Sequence, residues 1–133
     1  MGISPLVWGK EGWRFIHYVA LAYPDNPTKE DRKNYRKFLN SLETVLPCPA
    51  CAYNFKKKME LHPPNLNSTK EFFQWTVDMH NFVNEENGKK KLSYVQAYNE
   101  LSKKNKFDIK SIPYILPPAI MLSLMIFTIA KKR

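Results

Sequence analysis

Cys48-Pro49-Ala50-Cys51 holds the only two cysteines of the 133-residue chain. Two residues between two thiols close too short a loop for an ordinary structural staple, because cross-link stabilisation grows with loop length. Three kinds of chemistry are open to the pair. It can be a redox dithiol that cycles through an internal disulfide, the spacing holding the two sulfurs close. It can be half of a zinc site completed by two of His17, His62 and His80, although these histidines are scattered and lack the usual ligand spacing. It can also be incidental, since free cysteine is often a small core residue. The redox reading has a specific physical basis. A cysteine pair at a helix start meets free N–H groups and the positive end of the helix dipole, both of which favour the thiolate. A thioredoxin-type scaffold would need strands around the motif. This chain has helical periodicity instead, so the electrons need another acceptor.

A second constellation suggests what that acceptor is. In His80-Asn81-Phe82-Val83-Asn84, His80 and Asn84 are four residues apart and share one helix face, with Asn81 beside them. Phe72, Trp75 and Val83 lie in the same segment. Polar groups among aromatics suit a planar cofactor that also forms hydrogen bonds. Lys89, Lys90 and Lys91 follow and could meet a diphosphate.

The elements that must position these groups are helices. Val7, Trp8, Trp13, Ile16, His17, Ala20 and Leu21 recur at helical spacing from about Pro5 to Tyr23, and Pro24-Asp25-Asn26-Pro27 ends the run. Thr28 followed by Glu30 and Asp31 signals a second helix, which continues to about Val45 and is stopped by Pro47. The cysteine motif opens a third helix to about Leu61, and His62-Pro63-Pro64-Asn65 breaks it. Ser68 and Glu71 form a capping-box pattern before a fourth helix that runs to Asn84 or Glu86 and ends at Asn87-Gly88. A short fifth helix spans about Ser93 to Lys103. The fold class is therefore all-α, a four-helix bundle plus a short fifth helix.

Hydrophobic residues make up 44% of the chain and aromatics 14%, enough for one small core that a large cofactor or a dimer interface would help to stabilise. The formal charge of +9 has two readings: lysines that solvate exposed helix faces, or an excess that favours an anionic cofactor, an acidic partner or an anionic membrane surface. No zinc-finger or RNA-recognition signature supports a nucleic-acid partner. Residues 1–12 lack the basic start and apolar run of a secretory leader. Residues 112–130 carry no charge and precede Lys131-Lys132-Arg133. That stretch is just long enough to span a bilayer. The alternative is a C-terminal core helix of the bundle, but such a helix should show a polar face and this one has only Ser123 and Thr128 after its prolines, so a membrane anchor is expected. The organisation read from this is a domain over 1–106, a linker over 107–111, a transmembrane anchor over 112–130 and a basic tail over 131–133.

Taken in order, Trp13-x-x-x-His17, Tyr23-Pro24, Pro47-Cys48-x-x-Cys51, and Trp75 leading to His80-Asn81-x-Val83-Asn84 with Gly88-Lys89 resemble the Erv/ALR family of FAD-dependent sulfhydryl oxidases. The opening Trp8-Gly9, with Trp13 and His17, is similar to the versions encoded by large DNA viruses. The resemblance covers about residues 6 to 101 and implies a helical bundle that holds FAD, usually as a homodimer. It implies that Cys51 sits against the flavin and Cys48 faces incoming thiols. It further implies that Trp13, His17, His80, Asn81 and Asn84 line the flavin or its adenosine half, with Lys89 near the nucleotide. Gly9 and Lys10 fall where the family often has Gly-Arg, and Trp75 and Val83 correspond to packing residues at the cofactor. No metal is implied. The implied reaction oxidises two thiols to a disulfide and passes the electrons through flavin to oxygen, giving hydrogen peroxide. Many family members carry a second, shuttle cysteine pair, and this sequence has none. A protein thiol substrate or a separate shuttle dithiol protein would therefore meet Cys48 directly. The apolar segment 112–130 lies outside the resemblance and separately leads to an expected membrane-anchored location, at a host cytoplasmic membrane and/or in the virion if the source is viral. The alternative is a non-enzymatic, tail-anchored helical interaction protein whose cysteine pair is incidental or zinc-bound.

Overall fold

A computed structural model describes residues 1–105 of the chain. The described fold is all-α, with helices α1 (Pro5–Leu21), α2 (Lys29–Val45), α3 (Pro49–Leu61), α4 (Thr69–Glu86) and α5 (Tyr94–Asn105). The chain divides into two units, Met1–Leu92 with α1 to α4 and a second that begins at Ser93 and contains α5.

Local chemistry sets each boundary. The Ser4 hydroxyl accepts from Leu6 N at 3.3 Å, and Pro5 stands at the first position of α1, where its missing N–H costs nothing. The sequence pattern extends this helix to Tyr23, but it closes at Leu21. Tyr23 N turns back to Ala20 O at 3.2 Å, and the Tyr23 ring leaves the helix to be buried. Thr28 and Asp31 cap α2 reciprocally, at 3.1 Å from Asp31 N to the hydroxyl and 2.8 Å from Thr28 N to the carboxylate. Pro47 cannot continue α2, and Cys48 becomes the N-cap of α3. Ser68 accepts from Glu71 N at 3.2 Å to start α4. Gly88, at φ 64°, ends the turn that follows α4 in the left-handed region that side chains avoid.

Within the first unit, α1 packs along α4 and α2 along α3. Phe72, Phe73, Leu39, Met79 and Val77 are fully buried, so α4 supplies most of the core. Edge-to-face contacts among Tyr23, Tyr35 and Phe72 tie α2 and the end of α1 to α4. The Tyr23 hydroxyl donates to Leu66 O at 2.9 Å, Arg32 Nε donates to the same carbonyl at 3.3 Å, and the Thr69 hydroxyl donates to Tyr23 O. These bonds pin the loop before α4 to the loop after α1, which fixes how α1 lies along α4.

In the second unit, Ser93 and Gln96 cap the start of α5: Ser93 N donates to Gln96 Oε1 at 2.9 Å and Gln96 N to the Ser93 hydroxyl at 3.2 Å. Ala97, Tyr98 and Leu101 are its buried residues. No helix among the described residues is long and apolar enough to cross a membrane. The expected linker, anchor at 112–130 and basic tail lie outside the described residues.

Candidate functional site

Cys48 and Cys51 are joined as a disulfide, with Cα atoms 5.1 Å apart. Cys48 caps α3 and its sulfur accepts from Cys51 N at 3.2 Å; Pro49 is the first helical residue. Both sulfurs therefore sit at the positive end of α3, where a thiolate released from the bond is stabilised by free N–H groups. Both cysteines are partly exposed, so the bond is reachable.

The disulfide forms one wall of a cavity of about 380 Å³. Ala50, Asn54 and Phe55 extend that wall along α3, Trp8, Gly9, Gly12, Trp13 and Ile16 form the opposing wall from α1, and Val83 and Glu86 come from α4. A side chain at Gly12 would press on the Trp8 ring, its Cβ 3.0 Å from two ring carbons, so glycine lets that indole lie flat against α1. Lys58 Nζ meets Glu86 Oε1 at 2.5 Å and ties α3 to α4 beside the cavity.

Behind Trp13 runs a chain of polar contacts. The His80 ring stacks on Trp13, with centroids 4.6 Å apart and planes 8° from parallel. His80 Nδ1 lies 3.1 Å from His17 Nε2, and His17 Nδ1 lies 2.9 Å from the Thr76 hydroxyl. Burial pushes His17 down to about 3, helped by the neighbouring His80. Burial also lowers His80, to about 4, with a contribution from the Lys89 ammonium. Both rings are therefore neutral at pH 7.

A second cavity, of about 450 Å³, opens along α4 and is lined by His62, Trp75, Asp78, Asn81, Phe82 and Lys91 among others. The His62 ring stacks on Phe82 at 4.5 Å, and Trp75 Nε1 donates to His62 O at 2.9 Å. The Asn81 amide clasps the backbone of Leu92, donating to its carbonyl at 2.8 Å and accepting from its N–H at 2.9 Å. The segment that carries Lys89 to Lys91 is thereby held against the end of α4.

The sequence model of the Erv1 / Alr family matches residues 10–109. The chain belongs to the Erv1 / Alr family. A protein of Acanthamoeba polyphaga mimivirus named "Probable FAD-linked sulfhydryl oxidase" is 43% identical over 104 residues, covering 76% of this chain and 73% of that protein. The FAD-linked sulfhydryl oxidase ERV1 of Arabidopsis thaliana is 36% identical over 81 residues, 61% of this chain and 42% of the plant protein. The chain thus spans less than half the length of the plant relative. Among solved structures, the FAD binding domain of Erv1 from Saccharomyces cerevisiae superposes with a TM-score of 0.68 at 29% identity, covering 77% of this chain and 93% of that domain.

In the Erv1 / Alr fold most of the sequence-predicted residues line the two cavities and others do not, His80 among them, although its ring stacks on the cavity-lining Trp13. Cys48, Cys51, Gly9, Trp13 and Val83 line the first, and Trp75 and Asn81 line the second. His17 is buried behind His80 rather than on a cavity wall. Asn84 is buried, and its carbonyl accepts from Lys89 N at 2.7 Å. Lys10 and Lys89 are exposed. Gly12, Asn54, Phe55 and Thr76 are site residues that the sequence motifs do not mark. Asn54 and Phe55 lie three and four residues after Cys51, the helical spacing of one face, and that signal is enough to find them.

Proposed function

We propose that the chain is an FAD-dependent thiol oxidase that forms disulfide bonds in protein substrates through Cys48 and Cys51. The observation that carries this is a disulfide at a helix N-terminus forming the wall of an aromatic cavity, in a chain of the Erv1 / Alr family. The residues fit the cofactor. The first cavity offers the indoles of Trp8 and Trp13 and the ring of Phe55 to a planar ring system beside the sulfurs. The second offers Trp75, Phe82 and His62 to an aromatic base, and Lys91 to phosphate oxygens. Both volumes fall within the roughly 300–1,000 Å³ range of small-molecule sites.

The protein's own part of the cycle follows from the motif. A substrate thiolate attacks the Cys48 sulfur, the Cys48–Cys51 bond breaks, and Cys51 leaves as a thiolate at the tip of α3. A second substrate thiolate attacks the substrate sulfur of the mixed disulfide and releases Cys48, so the substrate is oxidised by two electrons and the enzyme pair is reduced. Cys48 and Cys51 both border the cavity, and Cys51 shares its α3 face with Asn54 and Phe55, which supports Cys51 on the cofactor side and Cys48, the N-cap at the helix tip, on the substrate side. FAD supplies the two-electron acceptor that restores the disulfide and passes the electrons to oxygen as hydrogen peroxide. Trp13, held by its stack on His80, orients the ring system, and the apolar wall limits access of water. The thiols that meet Cys48 come from a protein substrate or from a separate dithiol protein.

Oxygen uptake with a reduced protein dithiol tests the assignment. Cys51→Ser should abolish turnover, and Cys48→Ser should abolish it while retaining the flavin. Full turnover by either variant would refute these roles for the two sulfurs.

We further propose a homodimer, since a core of this size gains from an additional interface, and a membrane anchor at residues 112–130. The anchor places the oxidase domain at a membrane. The full chain should float with lipid vesicles in high salt, and a chain ending at residue 106 should not. Equal flotation of the two would rule the anchor out.

A further inference from the structure

Thr76 lies in the middle of α4 and lines neither cavity, yet it touches the start of the histidine chain. Its hydroxyl has one proton and two neighbours, Phe73 O at 2.7 Å and His17 Nδ1 at 2.9 Å. Two oxygens at that distance need a proton between them, so the hydroxyl donates to Phe73 O and has only lone pairs left for His17. His17 Nδ1 must then carry a proton and donate to Thr76. In a neutral ring this leaves His17 Nε2 as an acceptor. Only one proton fits between His17 Nε2 and His80 Nδ1 at 3.1 Å, and it must belong to His80. His80 is in turn neutral, so its Nε2 is bare. Among the described residues, that nitrogen is the one of the four that has no protein hydrogen bond.

We propose that Thr76 is a positioning residue that fixes the tautomers of His17 and His80, so that His80 Nε2, beside Trp13, accepts a hydrogen bond from a hydroxyl or N–H of the bound cofactor. The direction of every bond in the chain descends from the Phe73 carbonyl. A bare ring nitrogen repels a carbonyl or phosphate oxygen, so the arrangement selects a donor group of the nucleotide. In a Thr76→Val chain, a proton on His17 Nδ1 would be buried without an acceptor. The proton moves to Nε2, His80 Nδ1 accepts it, and His80 Nε2 becomes a donor facing a donor. A hydroxyl is thus required at position 76, whereas a merely space-filling residue would tolerate valine.

The inference rests on the flavin reading and is tested so that the two fail separately. Histidine-15N spectra of the full-length protein with its bound flavin report each ring nitrogen as protonated or bare, and only three histidines contribute. The wild type should show His17 and His80 both protonated at Nδ1. Thr76→Val should invert both rings and weaken flavin binding about tenfold, as expected for losing a hydrogen bond and opposing two donors. Thr76→Ser should restore both readouts. A wild-type His80 protonated at Nε2 would overturn the proposal, and so would a folded Thr76→Val protein with unchanged rings. Inverted rings with unchanged flavin affinity would overturn the cofactor contact. If Thr76→Val does not fold, the wild-type spectrum and Thr76→Ser still decide. A wild type that binds no flavin would overturn the flavin reading, while its ring shifts still report the tautomers.

Discussion

Trp13 both lines the first cavity and stacks on His80, so its removal separates cofactor binding from folding. An aromatic pair contributes about 0.5–1.5 kcal/mol beyond the area it buries. Trp13→Ala should therefore weaken flavin binding by at least about tenfold once lost ring contact is added, with the helix content unchanged by circular dichroism. Trp13→Phe should recover part of it. Equal affinity in all three proteins, read by flavin fluorescence, would remove Trp13 from the site. The cysteine pair, Trp13 and His80 are legible in the sequence because their chemistry is unusual and their spacings are local. Thr76 is not, because its partner His17 is 59 residues away and nothing in a local pattern distinguishes it from a solvated threonine. The sequence marks Asn81 as a cofactor group, yet its amide is occupied with the Leu92 backbone while its side chain still borders the second cavity.

Helix ends carry the clearest sequence signals, and their energetics are testable one cap at a time. Ser68 accepts from Glu71 N and also donates to the Glu71 carboxylate at 2.9 Å. Ser68→Ala should cost about 1 kcal/mol, read as a lower chemical denaturation midpoint with unchanged slope. No change would mean that α4 is set by packing alone. Phe73, fully buried in α4, should cost about 3–5 kcal/mol when replaced by alanine. Proline and the Thr28 and Ser68 caps make the starts of α1 to α4 readable, because they act within one turn of the chain, and α5 begins one residue after the Ser93 expected from the sequence. The pairing of α1 with α4 is not readable, because it depends on loop-to-loop bonds such as Tyr23 to Leu66 across 43 residues.

At the scale of the whole molecule, the buried histidine pair links stability to acid. His17 and His80 are held at about 3 and about 4, whereas each has an ordinary value of 6.5 in the unfolded chain. As pH falls through 6.5 the unfolded chain takes up protons that the folded chain refuses, so stability is full above that value. It declines by up to about 1.4 kcal/mol per pH unit for buried His17, and by less for the more exposed His80, until the folded groups protonate near pH 4 to 3. The denaturation midpoint should be lower at pH 5 than at pH 7.5, and equal midpoints would contradict a neutral buried pair. The positive charge of the chain is a property of the same scale, and it suits a nucleotide with two phosphates. The central claim is that Cys48–Cys51 exchanges electrons with a flavin held in the adjoining cavity. The most direct measurement is the visible spectrum of the purified protein during anaerobic addition of a dithiol. The account predicts flavin absorbance that bleaches on reduction, returns on admitting oxygen, and does not bleach in Cys51→Ser. A colourless protein, or a flavin that bleaches equally without Cys51, would contradict it.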